Sequence, residues 1–293
     1  MEREHRVTTH DGRTLRVIED GDPEGAPILV HHGTPSAARL YRLHVEDARA
    51  RGIRLIAYDR PGYGGSGPAR GRTVGDVAGD VAVIADALGL ERLATWGISG
   101  GGPHALACAA LLPERVVAAG VLASPAPWGA EGLDWFAGMG EDNIVEFTAA
   151  LEGRAACEPL LVEEAEAMRG ADLEGLVESM RSLVSPVDDA VLTGELGAHF
   201  FEVLQAGVAG GVEGWVEDDL AFARPWGFAP GDAGVPVLLW HGAHDRFVPI
   251  EHGRWLAERI PGVDARLSDE DGHITLYERR IPSVHAWLLE RLR

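Results

Sequence analysis

Residues 94–113, ATWGISGGGPHALACAALLP, set one serine inside a cluster of glycines, with a strand-like run before it and helix-forming sequence behind it. A serine hydroxyl at the carboxyl end of a strand can serve as a nucleophile if the chain turns sharply into a helix, so that the oxygen stands clear of the sheet. Side chains two residues either side would collide in such a turn, and Gly97 and Gly101 relieve that crowding around Ser99. The helix behind it aims its first N–H groups and the positive end of its dipole at an oxyanion formed on a substrate. The pentapeptide alone carries little weight, since with 38 glycines it should arise by chance in roughly one chain in seven of this composition. The strand, turn and helix around it carry more. Ser66, in GYGGSGP, is also flanked by glycine but sits mid-loop with Pro68 behind it, and reads as a turn residue.

A serine needs a base, and an imidazole base needs a carboxylate to hold its tautomer. His241, His244, His252, His273 and His285 lie downstream. Every one of the 26 basic residues is arginine, which removes Schiff-base chemistry, a lysine-anchored pyridoxal cofactor and a P-loop, each of which requires a primary amine. HHG and HGAHD together supply four histidines and an aspartate, but their spacing matches no familiar zinc motif, so neither metal nor cofactor is expected. Cys108 and Cys157 form no metal-like pair and read as buried free thiols. A formal charge of −20 argues against nucleic acid or anionic lipid as a partner. The N-terminus is charged from its second residue, and no apolar run approaches the roughly 18 residues of a membrane span. A cytoplasmic protein with no signal peptide and no membrane anchor is the expectation; the oligomeric state is left open.

The elements that must position these groups follow from periodicity. EHRVTTH and TLRVIED around Asp11-Gly12 read as an opening β-hairpin. PILVHHG (27–33), IRLIAYD (53–59), RLATWGI, VVAAGVLAS, GVPVLLWHGAHD and DARLSD read as strands. Between them lie helical stretches from about Ser36 to Arg51, over 73–88, over 101–112, near 250–260, and from about Tyr277 to the end. Buried strands alternating with helices imply an α/β fold with a doubly wound, mostly parallel sheet. From about Ala126 to Ala229 the alternation stops and helical stretches rich in Trp and Phe take over. The expected organisation is a core of residues 1–126 and 229–293 with a helical cap, 127–228, inserted after the sixth strand.

Four local patterns in order, HHGTP, DRPGYGGS, GISGG and HGAHD followed by DGH, make the chain resemble the α/β-hydrolase fold family in its capped, serine-nucleophile form. The resemblance implies Ser99 as nucleophile, Asp245 as acid and His273 as base, in the family's chain order. His252 and His285 lie in helical segments and suit surface or interface roles; Asp269 and Asp271 stand too near His273 in sequence to reach behind its ring easily. The resemblance also implies an oxyanion hole from the main-chain N–H groups of Thr34 and Gly100, with His32 bracing the turn. Haloalkane dehalogenases and epoxide hydrolases resemble the chain too but carry Asp where Ser99 stands, and HHGTPSA departs from the HGGPG loop of proline iminopeptidases. Trp128 and Trp226, near the two ends of the cap, are the candidate pocket-lining residues. The implied activity is serine hydrolysis of a small ester, lactone or related acyl compound with an apolar portion. The same triad also serves carbon–carbon bond hydrolases and slow-turnover binding or sensor proteins.

Overall fold

Asp11-Gly12 turns the chain between β1 (Arg3–Thr8) and β2 (Thr14–Gly21), with Gly12 at φ +85°, in the computed structural model, which describes residues 2–293. The hairpin joins β3 (Ala26–His31), β4 (Ile53–Tyr58), β5 (Leu93–Ile98), β6 (Val116–Leu122), β7 (Val237–Gly242) and β8 (Asp264–Ser268) in one sheet of order β1-β2-β4-β3-β5-β6-β7-β8. β1 and β2 pair antiparallel, as do β2 and β4; every later pairing is parallel.

Apolar residues on both faces of the parallel strands demand cover on both sides. Alternate residues divide between two cores, as the two-residue period of a strand requires. Leu29, Ile56 and Leu239 pack with α2 (Val77–Ala87), α3 (Gly101–Leu111) and α10 (Ile250–Ala257). Ile28, Val30, Leu55 and Leu238 pack with α1 (Arg42–Arg51) and α11 (His273–Leu292). Between β6 and β7 the chain forms α4 (Glu141–Glu152), α5 (Arg154–Gly170), α6 (Leu173–Ser179), α7 (Pro186–Asp189), α8 (Gly194–Val208) and α9 (Glu213–Phe222). Phe247 and Ile274 of the core pack with Leu176, Met180 and Leu196 of this segment.

Two helices depart from the sequence expectation. α1 begins at Arg42, not near Ser36, because residues before it are held by distant partners: Ala38 N–H donates to Asp59 (2.6 Å) and Ala37 N–H to the Val203 carbonyl on α8 (3.4 Å). α11 begins at His273, four residues before the expected Tyr277, because Asp188 of α7 accepts the N–H groups of His273 (3.0 Å), Ile274 (2.9 Å) and Thr275 (2.9 Å). No helix among the described residues is long and apolar enough to cross a membrane.

Candidate active site

Strand order reverses at β3, whose neighbours are β4 on one side and β5 on the other. The carboxyl ends of strands beside such a reversal open a crevice where ligands of α/β sheets bind. Ser99 follows β5 there at φ +55°, in the left-handed region that a non-glycine residue occupies only under constraint. The constraint is the close packing of the turn. A Cβ on Gly97 would stand 2.0 Å from the Gly101 carbonyl oxygen, and one on Gly101 would stand 2.2 Å from that of His31. Both glycines are needed for backbone to pass backbone, which is how the local sequence forces the serine outward.

Asp245 follows β7 and His273 opens α11, and their side chains meet: Nδ1 of His273 lies 2.7 Å from Oδ2 of Asp245. The other Asp245 oxygen accepts from Val248 N–H at 2.8 Å. Phe247 stacks on the His273 ring with centroids 4.6 Å apart. Burial disfavours protonation of His273, but the charge and hydrogen bond of Asp245 outweigh it and raise its pKa. Asp271 is occupied by Arg280 (2.7 Å). Ser99, Gly100, Thr34 and His273 all line one cavity of about 350 Å³. Among the described residues, no carbonyl accepts from the loop N–H groups of Thr34 and Gly100.

His32 braces its loop as a neutral ring, with Nδ1 2.8 Å from the Gly33 carbonyl and Nε2 accepting from Arg60 N–H at 3.2 Å. Burial and the neighbouring Arg60 guanidinium hold its pKa well down. His252 and His285 occupy the interior instead of the surface. His252 accepts from Ala126 N–H at 3.0 Å and reaches the Trp135 carbonyl at 2.9 Å, tying the start of the inserted segment to α10. His285 joins α11 to α1 through Asp47, 2.8 Å away. Cys108 and Cys157 are free and buried. No group of three or more His, Cys, Asp or Glu among the described residues is arranged to hold a metal.

The cavity wall includes neither Trp128 nor Trp226. Trp128 is 39% exposed, against Trp135 and Phe136, while Trp226 is buried beside Phe228 in the core on the α2/α3 side. Both lie near the ends of the inserted segment, and the aromatic wall comes from Trp135, Phe147, Trp215, Phe222 and Phe247.

Two aspartates that gave no sequence signal reach from the inserted helices to these loops. Asp188, besides opening α11, accepts from Ser185 Oγ at 2.8 Å. Asp218 of α9 is fully buried and accepts from Thr34 Oγ1 (2.6 Å), Arg60 (2.5 Å), Tyr63 OH (2.9 Å) and Arg72 (2.5 Å). Burial opposes its charge, but the two guanidiniums hold its pKa well below the usual carboxylate range. Arg60 also donates to the carbonyls of His32 and Gly33, the latter at 2.9 Å, so one buried network fixes the loop carrying Thr34. These partners stand up to 184 residues apart, beyond any local pattern.

A family profile described as the alpha/beta hydrolase fold matches residues 26–153. Over 247 residues the chain is 30% identical to a non-heme chloroperoxidase of Streptomyces lividans, covering 83% of each protein. It is 24% identical to a 2-hydroxy-6-oxononadienedioate/2-hydroxy-6-oxononatrienedioate hydrolase of Cupriavidus pinatubonensis, over 93% of this chain and 89% of that one. The crystal structure of an enol-lactonase from Burkholderia xenovorans superposes with a TM-score of 0.70 at 19% identity, covering 98% of this chain and 99% of the other.

Proposed function

The chain belongs to the α/β-hydrolase fold family and is a hydrolase of small molecules, and from that premise we propose that it cleaves an ester, lactone or related acyl compound through an acyl-enzyme on Ser99. The observation that carries the reading is the joint placement of Ser99 and the Asp245-held His273 on one cavity. Ser99 Oγ attacks the carbonyl carbon as its proton passes to Nε2 of His273, and Asp245 stabilises the imidazolium through Nδ1–H. The N–H groups of Thr34 and Gly100 receive the developing oxyanion. The alcohol leaves with the proton from His273. Water, deprotonated by the same ring, then attacks the acyl-enzyme and releases the acid and free Ser99. In this reading residues 127–228 are a cap over a core of 1–126 and 229–293, and its aromatic wall receives an apolar portion of the substrate and excludes water.

The test is intact mass after exposure to a fluorophosphonate, on the native chain and on Ser99→Ala. One adduct, absent from the variant, is expected; no adduct on the native chain, or one that persists in Ser99→Ala, would overturn the assignment of Ser99. The Cupriavidus relative favours a second reading, carbon–carbon hydrolysis with the same residues. Loss of the chromophore of a ring-cleavage diketone, with esters left intact, would put that reading first.

A further inference from the structure

The cavity is apolar over most of its wall but not at the end built by α4, α5 and α9, where Glu146, Glu164 and Asp219 all border it. Asp219 is fully buried, and among the described residues no backbone N–H and no basic or neutral side chain donates to its carboxyl oxygens; its one hydrogen-bond neighbour is another carboxyl, that of Glu146. Two carboxyls buried against each other with no cation beside them cost free energy, and a ligand in the cavity that supplies N–H donors and positive charge would offset that cost. Glu146 faces it and receives one donor, Trp215 Nε1–H, at 2.8 Å. Burial and the Glu146 carboxyl push Asp219 well above the carboxylate range, and burial with the neighbouring Glu146 and Asp142 pushes Glu164 up to about 8. The arginine in the wall, Arg39, bears on His199 instead. Three carboxyl groups with no cation among them are therefore concentrated at one end of the cavity, and they hold protons that a cation would displace.

We propose that this end is a recognition site for a protonated amine, held by Asp219 and Glu146, so that the preferred substrate carries an ammonium group beyond its scissile carbonyl. Resting on the reading of Ser99 as nucleophile, the proposal names the substrate class for that site. An ammonium brings N–H donors to oxygens whose neighbour is another carboxyl, and its positive charge favours the ionised carboxylates that the empty site disfavours. Trp215 lines the same end, with its indole N–H on Glu146. The spacing is set by α9. Phe222 reaches the elbow, its ring 3.2 Å from where a Cβ on Gly100 would lie, and Asp219 stands three residues earlier on the same helix. One turn of helix separates them, about 5 Å along the axis. A compact amine, with nitrogen about that far from the carbonyl, fits; a long polyamine does not.

Two matched ester pairs test this. One pair is the 4-nitrophenyl esters of N-methylpiperidine-4-carboxylic acid and 4-methylcyclohexanecarboxylic acid; the other is N-methylpiperidin-4-yl acetate and 4-methylcyclohexyl acetate. In at least one pair the native enzyme should favour the ammonium member in kcat/KM by about tenfold to a hundredfold, the worth of a charge-assisted hydrogen bond. That ratio should fall toward one in Asp219→Asn and in Glu146→Gln. Asp219→Asn keeps the shape and removes a buried carboxyl, so it should melt higher than the native protein; Glu146→Gln is the second variant should the first fail to fold. Ratios near one in both pairs, or a preference that survives both substitutions, would overturn the proposal. If no ester turns over, the nucleophile reading fails by itself, and calorimetric titration with N-methylpiperidine-4-carboxamide and 4-methylcyclohexanecarboxamide decides the amine site alone. At least tenfold tighter binding of the charged amide, lost in the variants, sustains the site, and equal binding rejects it.

Discussion

A serine is only as nucleophilic as its base allows, so His273 sets the chemistry at the scale of single residues. Its pKa stands above the ordinary 6.5 because Asp245 overcomes the cost of burial, and the general base works only when neutral. The acid limb of a kcat/KM profile should therefore have its midpoint above 6.5, measured on a neutral ester between pH 5 and 9. In Asp245→Asn the midpoint should drop and kcat should fall by about 10³- to 10⁴-fold, the scale on which losing the orienting carboxylate acts in such triads. A limb that stays in place in the variant would remove Asp245 from the pair. The stability linkage has the opposite sense to activity. The folded protein holds the His273 proton more tightly than the unfolded chain does, so the pair's stabilisation is fully present below pH 6.5 and fades as pH rises through the raised value. The working, neutral form is the less stabilised one.

At the scale of elements, the start of α11 places the base, and Asp188 of α7 holds that start by accepting three consecutive N–H groups. Asp188 touches no reacting atom; it is a positioning residue. Asp188→Ala leaves those donors buried without partners, and should cost about 2–4 kcal/mol in denaturant unfolding, combining a lost helix cap with unsatisfied N–H groups. Activity should fall mainly through kcat with KM nearly constant, and Asp188→Asn, which retains an acceptor, should recover part of it. A parallel loss in KM would place Asp188 in substrate binding instead. The contrast with Ser99 shows what the sequence could reveal. The elbow is written in adjacent residues, because Gly97, Ser99 and Gly101 clash or fit within one turn, and the strands are written in alternating apolar runs. The early start of α11, the late start of α1, and the Asp218 network around Thr34 depend on partners brought together only by folding. Trp128 and Trp226 lie off the cavity wall for the same reason: a tryptophan at the edge of an inserted segment packs against neighbouring rings as readily as it lines a pocket, and composition does not distinguish the two.

Over the whole molecule, the histidines form a second, acid-sensitive structural system. Burial holds His31, His32, His44, His104, His199, His241, His252 and His285 below their ordinary pKa, with His104, His199 and His252 down at about 4. A histidine kept neutral in the fold but free to protonate when unfolded withdraws stability as pH falls below about 6.5, at up to about 1.4 kcal/mol per pH unit for each ring. Asp80, Glu146, Glu164 and Asp219, with raised pKa values, act in the other direction, since the fold binds their protons better than the unfolded chain does. His273 does the same. Eight rings against these few groups leave a net proton uptake on unfolding between pH 6.5 and 4. Calorimetric unfolding at pH 5.5 in buffers of different ionisation enthalpy should register that uptake as several protons, and the melting temperature should fall steeply from pH 7 to pH 5. Because His252 ties the inserted segment to α10 through Ala126 and Trp135, acid should loosen that attachment along with the core. A melting temperature that is flat over this range would mean that these rings protonate in place, and that the buried histidine contacts bear little of the fold.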